Sequence, residues 1–354
     1  MSLAAFVRAL PKVELHVHLE GAMSPRTLLE LARRRRVDLP ATDEAGLREW
    51  FRFRDFDHFV EVYLACSRVL QHPEDFQLLL DDFAARAEAE NLRYAEVHFT
   101  IGTHWKNGAP VDEILDALAE SIGAAERARG VTVRLIPDIV RDVGHLTADA
   151  TLDWALAAHR RGLAVALGLS GKEASSPSEP WAAHFREARR HGLHAVAHAG
   201  EHAGPASVRS VLDACGAERV GHGVRSIEDP DLVGHLRETR TPLEICPTSN
   251  VLLGVVPDLA SHPFDRLRRA GVEVSVNTDD PALFDTTLSD ELLRLAEVHG
   301  YGPEEVAGLA LAAVAHSFLP APEKARLAAS MRAGISEAAE RHLGHALSWR
   351  GSGT

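Results

Sequence analysis

Cysteine is scarce: Cys66, Cys215 and Cys246 are the only three in 354 residues, and none belongs to a CxxC pair. That excludes a disulfide scaffold, argues against a thiolate zinc centre, and fits a reducing compartment. Positive charge is also short. Lys and Arg number 38 against 51 Asp and Glu, for a formal net charge of −13. A surface of that sign repels phosphate backbones, so nucleic acid is not an expected partner. The one basic run, Arg33 to Arg36, follows a helical pattern and reads as a solvated helix end. No run of 18 apolar residues is present to cross a membrane, and the opening MSLAAFVRALPK carries no cleavage pattern. The expectation is a cytoplasmic chain that handles a neutral or singly charged small molecule. Low-complexity linkers and repeats are missing too, which points to one domain over 1–345 and a flexible tail at 346–354.

What is present is alternation. Short β-rich segments recur at 13–19, 93–99, 131–140, 163–169, 193–199, 218–223, 241–247 and 272–278, with helical periodicity between them. Strands alternating with helices imply parallel βαβ units, and eight such units close into a (β/α)8 TIM barrel, the expected fold class. The gap between the first two strands is too long for one crossover helix. Helical patterns at 27–37, 44–53, 56–69 and 73–90 fill it, so an inserted helical lid over about 25–90 is expected above the barrel mouth. The stretch WFRFRDFDHFVEVYL brings Phe51, Phe53, Phe56, Phe59 and Tyr63. These rings serve either as helix core or as the lining of an apolar pocket under a lid. Further helices follow the last strand.

Four polar motifs fall at strand ends. In HVH at 16–18, residues two apart on a strand face the same way, so His16 and His18 project together at the catalytic rim of a barrel. Two neutral imidazoles side by side suit a borderline metal such as Zn²⁺, although a bare HxH fits barrel-interior histidines equally well. HAGE at 198–201 ends the fifth strand and offers His198 as a third nitrogen ligand, with Glu201 on the following loop. GHG at 221–223 ends the sixth strand and carries His222. TDDP at 278–281 ends the eighth strand; the adjacent carboxylates Asp279 and Asp280 are costly without a cation or a shared proton. Each motif alone is weak. Together they bring three histidine ligands and one carboxylate to one rim with a position left for water, a catalytic and not a closed structural arrangement. A metal held there lowers the pKa of its bound water toward about 7.

The order LPKVELHVHLEGA, HAGE, VGHG and NTDDP resembles the adenosine deaminase family of the amidohydrolase superfamily, from about residue 10 to residue 320. The resemblance implies one zinc ion per chain, held by His16, His18, His198 and Asp279. It implies Glu201 as proton donor to purine N1, His222 beside the attacking water, Asp280 at N7, and the backbone of Gly171 in GLSGKE at N3. The implied reaction replaces the exocyclic amino group of a 6-aminopurine by oxygen and releases ammonia. The H-x-E…P-C-x-x-C plan of cytidine deaminases is absent. Amidohydrolase relatives that cleave phosphotriesters or amides often carry a modified lysine on strand four, and LAVALGL has none. Retention of all four ligands and Glu201 argues against a metal-free binding protein.

Two positions depart from the family pattern and bear on the substrate. Adenosine deaminases usually have Asp, meeting the ribose 5′-hydroxyl, where this chain has Glu20; the extra methylene extends the carboxylate by about 1.5 Å. Adenine deaminases commonly have Glu there. Gly171 points the other way, toward nucleosides. Lys172 replaces an acidic residue near the mouth, either as an exposed lysine or as a cation for a substrate carboxylate. Glu20 and Lys172, with Trp105 and Lys106, are compatible with 6-amino-6-deoxyfutalosine, a nucleoside with a benzoate tail. A purine nucleoside of the adenosine or aminodeoxyfutalosine type is therefore expected, with free adenine as the alternative.

Overall fold

The computed structural model describes residues 2–347. Of the tail expected at 346–354, residues 348–354 lie outside the described residues, and Leu347 is buried against the core. Eight parallel strands follow one another around a barrel in chain order: β1 (Lys12–His18), β2 (Leu92–Phe99), β3 (Thr132–Val140), β4 (Ala166–Ser170), β5 (His194–Ala199), β6 (Arg219–His222), β7 (Leu243–Ile245) and β8 (Val274–Val276). All eight lie within the expected segments or within a residue of them. Their burial on both faces, by the barrel interior and the helical ring, explains why they read as apolar runs and not as alternating ones.

Closure between β8 and β1 relies on side chains as well as backbone. Leu15 N–H donates to Asn277 Oδ1 at 2.9 Å, and Thr278 N–H donates to Glu14 Oε1 at 2.9 Å. Just above, His18 N–H donates to the Asp279 carbonyl at 2.7 Å and Asp279 N–H to the His16 carbonyl at 3.1 Å. This seam sets Asp279 directly beside the two histidines of β1.

The helices are α1 (Leu3–Ala9), α2 (Pro25–Arg35), α3 (Glu44–Trp50), α4 (Phe56–Ser67), α5 (Pro73–Ala89), α6 (Ile101–Lys106), α7 (Val111–Arg129), α8 (His145–Arg160), α9 (Ala182–Arg190), α10 (Pro205–Ser210), α11 (Pro230–Thr239), α12 (Pro247–Leu252), α13 (Phe264–Arg269), α14 (Leu288–His299), α15 (Pro303–His316) and α16 (Ala321–Leu343). Ser24, Asp43 and Asp55 cap α2, α3 and α4 with their side chains, which starts each helix where the sequence offers a short polar acceptor. The insertion is smaller than expected. Helix α5 packs against α7 and β2 and so belongs to the outer ring, leaving α2 to α4 as the added elements. Helix α1 was not legible as periodicity; it buries Phe6 and Val7 and packs on α14, α15 and α16. Among the described residues no helix is long and apolar enough to cross a membrane.

Candidate active site

Nitrogen or oxygen atoms of His16, His18, His198 and Asp279 all lie within 4.8 Å of one another, and all four residues are buried. His18 Nε2 and His198 Nε2 are 3.1 Å apart, and His16 Nε2 and His18 Nε2 lie 3.4 and 3.3 Å from Asp279 Oδ1. The outer ring nitrogens fix the tautomers. His198 Nδ1 donates to the Leu169 carbonyl at 2.9 Å, and His16 Nδ1 to Glu244 Oε2 at 2.8 Å. Their Nε2 lone pairs therefore face the centre, as metal-binding imidazoles require. His16 Nε2 is buried without a hydrogen-bond partner. Facing lone pairs repel unless a cation sits between them, so this donor set fits a divalent metal.

The electrostatics agree. Burial lowers the His18 pKa to about 4, with His98 adding to the effect, and holds His198 well below its ordinary value. For His16, burial opposes protonation, but Asp279 and Glu244 outweigh it and raise the pKa to about 10. The cluster thus calls for positive charge at its centre, which a metal supplies in place of a proton. Glu244 is itself buried between His16 and the guanidinium of Arg219, which holds its carboxyl down at about 2 against the effect of burial.

Glu201 follows β5. Its Oε2 lies 3.1 Å from His202 Nδ1 and 3.7 Å from His222 Nε2, while its Oε1 is buried with no partner. Asp280 is similar: its Oδ1 is buried and unpaired, and burial together with the neighbouring Asp279 raises its pKa well above the ordinary range. Asp279 moves the opposite way, since hydrogen bonding to His16 and the nearby imidazoles outweigh burial. Two neighbouring carboxyls whose pKa values one environment pushes in opposite directions are the pattern expected of an acid–base site. Ser249 Oγ donates to Asp279 Oδ2 at 2.7 Å. His222 and Asp279 both sit at left-handed backbone angles, φ 59° and 65°. Such strain in non-glycine residues persists only where the surroundings hold it.

These groups open into one cavity of about 390 Å³. Its floor includes His18, His198, Glu201, His222, Asp279 and Asp280; Gly171 and Lys172 lie on one side; Phe56, Phe59 and Tyr63 of α4 form an apolar wall. Both readings of the aromatic stretch hold in part. Phe51 is buried core beside Trp50, whereas Phe56 packs tilted against His202 with ring centres 4.1 Å apart and Phe59 stacks on Phe284 at 5.4 Å.

The three residues named for substrate binding differ in placement. Gly171 lines the cavity at φ +93°. Lys172 lines it too, but its Nζ is tied to Asp57 Oδ1 of α4 at 2.6 Å. Glu20 is not among the lining residues. Its Oε1 accepts from Thr100 N–H, Thr100 Oγ1 and His104 Nε2 at 2.9, 2.6 and 3.0 Å, and Oε2 is buried and unpaired. Lys106 lines the cavity, while Trp105 is exposed and does not.

Several residues of the site escaped the sequence reading. Glu173 receives four backbone N–H groups from the Glu201 loop. Glu244, Ser249 and Asn250 contact the candidate metal ligands or His222. No local sequence signal marks them: Glu173 lies three residues beyond β4, Glu244 in the middle of β7, and Ser249 and Asn250 within α12.

The chain matches the adenosine deaminase family model over residues 11–333. It is 40% identical over 328 residues to the aminodeoxyfutalosine deaminase of Streptomyces coelicolor, covering 92% of this chain and 84% of that one. It is 38% identical over 331 residues to the adenine deaminase of Cupriavidus necator, covering 93% of each. Among solved structures, the adenine deaminase of Arthrobacter aurescens superimposes with a TM-score of 0.87 at 33% identity, covering 93% of this chain and 99% of that one. An amidohydrolase of Burkholderia ambifaria with bound Zn gives 0.88 at 27% identity, covering 98% and 96%.

Proposed function

The chain belongs to the adenosine deaminase family, and from that premise we propose that it hydrolytically deaminates position 6 of a purine nucleoside. The substrate is adenosine or a 5′-modified analogue such as 6-amino-6-deoxyfutalosine, the products are the 6-oxopurine and ammonia, and one zinc ion serves per chain. His16, His18, His198 and Asp279 would hold the ion, which when bound acidifies water and so supplies the oxygen nucleophile at neutral pH. Zinc is supported by the nitrogen-rich donor set and by the Zn-bound relative.

The observation that carries the reading is the pair of buried, unpaired carboxyl oxygens, Glu201 Oε1 and Asp280 Oδ1, flanking the ligand cluster in one cavity. A purine presents ring nitrogens on both sides of C6. Glu201, protonated, donates to N1 so that charge does not build up on the ring. Asp280, whose pKa burial and the neighbouring Asp279 push upward, donates to N7 in its protonated form. The Gly171 backbone N–H meets N3. His222 holds the attacking water and offsets charge developing on it. The apolar wall of α4 excludes bulk water, which strengthens each of these contacts.

Glu20 favours a second reading, free adenine. Its unpaired Oε2 suits the N9–H that only the free base offers, although a ribose hydroxyl also satisfies it. Ammonia release by purified enzyme from adenosine, 2′-deoxyadenosine, adenine and aminodeoxyfutalosine, with and without chelator, tests both. Higher kcat/KM on a nucleoside, lost on chelation, is expected. Fastest turnover of adenine moves the assignment to the base; no ammonia from any of the four ends the deaminase reading.

A further inference from the structure

Behind His222 lies a chain of buried polar groups that the reaction does not touch. Phe264 N–H donates to His262 Nδ1 at 3.1 Å. His262 Nε2 is 3.2 Å from Asn250 Oδ1, and Asn250 Nδ2 is 3.2 Å from His222 Nδ1. Asn250 is fully buried, with His222 and His262 no more than 2% exposed. The direction of every bond follows from its first member. A backbone amide can only donate, so His262 Nδ1 is an acceptor and its single proton is on Nε2. Burial, with His299 nearby, lowers the His262 pKa to about 4 and keeps the ring neutral. The Nε2–H must then find an acceptor, which orients the Asn250 amide with its oxygen toward His262 and its NH₂ toward His222. That NH₂ is a donor, so His222 Nδ1 accepts. The His222 proton is left on Nε2, which points at Glu201 Oε2 and Asp279 Oδ2, 3.7 and 3.9 Å away.

We propose that Asn250 and His262 are positioning residues that lock His222 in the Nε2–H tautomer, making it a hydrogen-bond donor into the site and not a base. The inference rests on the role assigned to His222 above. A residue meant to hold the attacking oxygen and oppose its growing charge must present a proton to it. The free imidazole has no strong preference between tautomers, and a hydrogen bond at the far nitrogen is the ordinary means of choosing one. Here the choice is made by the peptide N–H of Phe264, the first residue of α13, relayed through two side chains. The relay carries no net charge, so it fixes the proton without adding an ion to a site already crowded with carboxylates.

The test has a spectroscopic arm and a kinetic arm on the metal-loaded enzyme. In a histidine-¹⁵N-labelled sample, with the His222 signals assigned by their loss in His222→Gln, Nε2 should carry the proton and Nδ1 should not. Asn250→Asp offers acceptors to both rings and should pull the His222 proton to Nδ1. Its kcat should fall by about 10- to 100-fold, the usual cost of losing an orienting partner, with KM and metal content nearly unchanged. Because a buried charge at 250 risks misfolding, a second pair is needed. His262→Leu leaves the Asn250 amide free to turn over and should lower kcat, whereas His262→Gln keeps an N–H donor toward Asn250 and should restore most of it. A protonated Nδ1 in the wild type, or equal kcat in the Leu and Gln variants, overturns the lock. The spectrum reports the tautomer whether or not any purine is turned over, so failure of the substrate assignment is separable from failure of this inference.

Discussion

The carboxylate of Glu173 accepts the backbone N–H of Glu201 at 3.1 Å, together with those of Gly200, His202 and Ala203 at 2.5, 2.9 and 3.0 Å. One buried side chain, three residues after β4, thus fixes the turn that presents the Glu201 carboxyl to the cavity. Glu173→Gln puts an NH₂ group against N–H donors and removes the charge they share. Hydrogen bonds to a charged group contribute about 1.5–3 kcal/mol each, so urea unfolding should show a loss of about 2 kcal/mol or more. Displacing Glu201 by even a fraction of an ångström should cut kcat about 10- to 100-fold with metal retained. A variant with wild-type kcat would mean that the turn holds its shape unaided.

In the proposed mechanism, Glu201 and His198 separate acid–base chemistry from metal binding. Glu201→Gln keeps the shape but cannot deliver a proton, so turnover should drop about 10²- to 10⁴-fold while elemental analysis still finds the ion. His198→Ala removes a nitrogen from the cluster and should lose the ion itself. Metal loss in the glutamine variant, or a near-normal rate, would take Glu201 out of the donor role.

Lys172 lines the cavity, but its ammonium is engaged by Asp57 of the inserted α4. Arg68 and Lys106 line the same cavity without a carboxylate partner among the described residues and stay available to an acidic tail. Exposed pairs of the Lys172 kind contribute little. Lys172→Gln should therefore shift KM for adenosine and for aminodeoxyfutalosine by a similar factor of about two or less. A rise in KM confined to the acidic-tailed substrate would place the lysine on the substrate after all.

What could be read from sequence followed from how barrels are built. Function gathers at the C-terminal ends of strands, and His16, His18, His198, His222, Asp279 and Asp280 stand at such ends inside apolar runs, where polar residues are conspicuous. The supporting groups were not legible, because nothing local marks them. Glu173 acts on backbone N–H groups 27 to 30 positions away, Glu244 reaches His16 across the barrel interior, and Asn250 contacts His222 only after α12 has turned. Helix α5 was assigned to the insertion because its periodicity says that it is a helix but not what it packs against. Lys172 looked available because its partner, Asp57, sits 115 residues away on the lid.

Glu273 gives a pH-dependent prediction at the other end of the barrel. Its carboxylate meets His316 Nε2 at 2.8 Å and Arg240 Nε at 2.6 Å. The hydrogen bond from His316 chiefly, with Arg240 adding, holds its pKa at about 2 in place of 4.5 against the effect of burial. A depressed carboxyl contributes stability above the unfolded value of 4.5 and loses it as pH falls through 2. The full shift would correspond to about 3 kcal/mol, which solvent screening at this part-exposed site cuts to about 1. Glu273→Gln should be less stable by that amount in urea at pH 6, with the gap closing toward pH 2 to 3. A gap that stays constant across this range would mean that the loss is packing and not charge.

Gly21 tests the site from a position that itself takes no part in the proposed reaction. It follows Glu20 in the loop after β1, and a Cβ added there would come within 1.6 Å of Asp280 Oδ1 and 2.4 Å of its Cγ. Gly21 is not among the positive-φ glycines, so its backbone accepts alanine and the conflict is confined to the Asp280 carboxyl. That carboxyl cannot simply retreat, since it is buried and its neighbour Asp279 is fixed to β1 through two backbone hydrogen bonds. Gly21→Ala should therefore move the proposed N7 donor while leaving the four proposed metal ligands in place. Displacements of about 1 Å in an active site cost on the order of 10²-fold, and the loss should appear in kcat/KM with metal content unchanged. The same variant on a 7-deazapurine nucleoside, which has no acceptor at position 7, discriminates further. If Asp280 serves N7, wild type and Gly21→Ala should differ far less on that analogue than on adenosine. An equal penalty on both would show that the loop, and not the Asp280 contact, is what the added methyl disturbs.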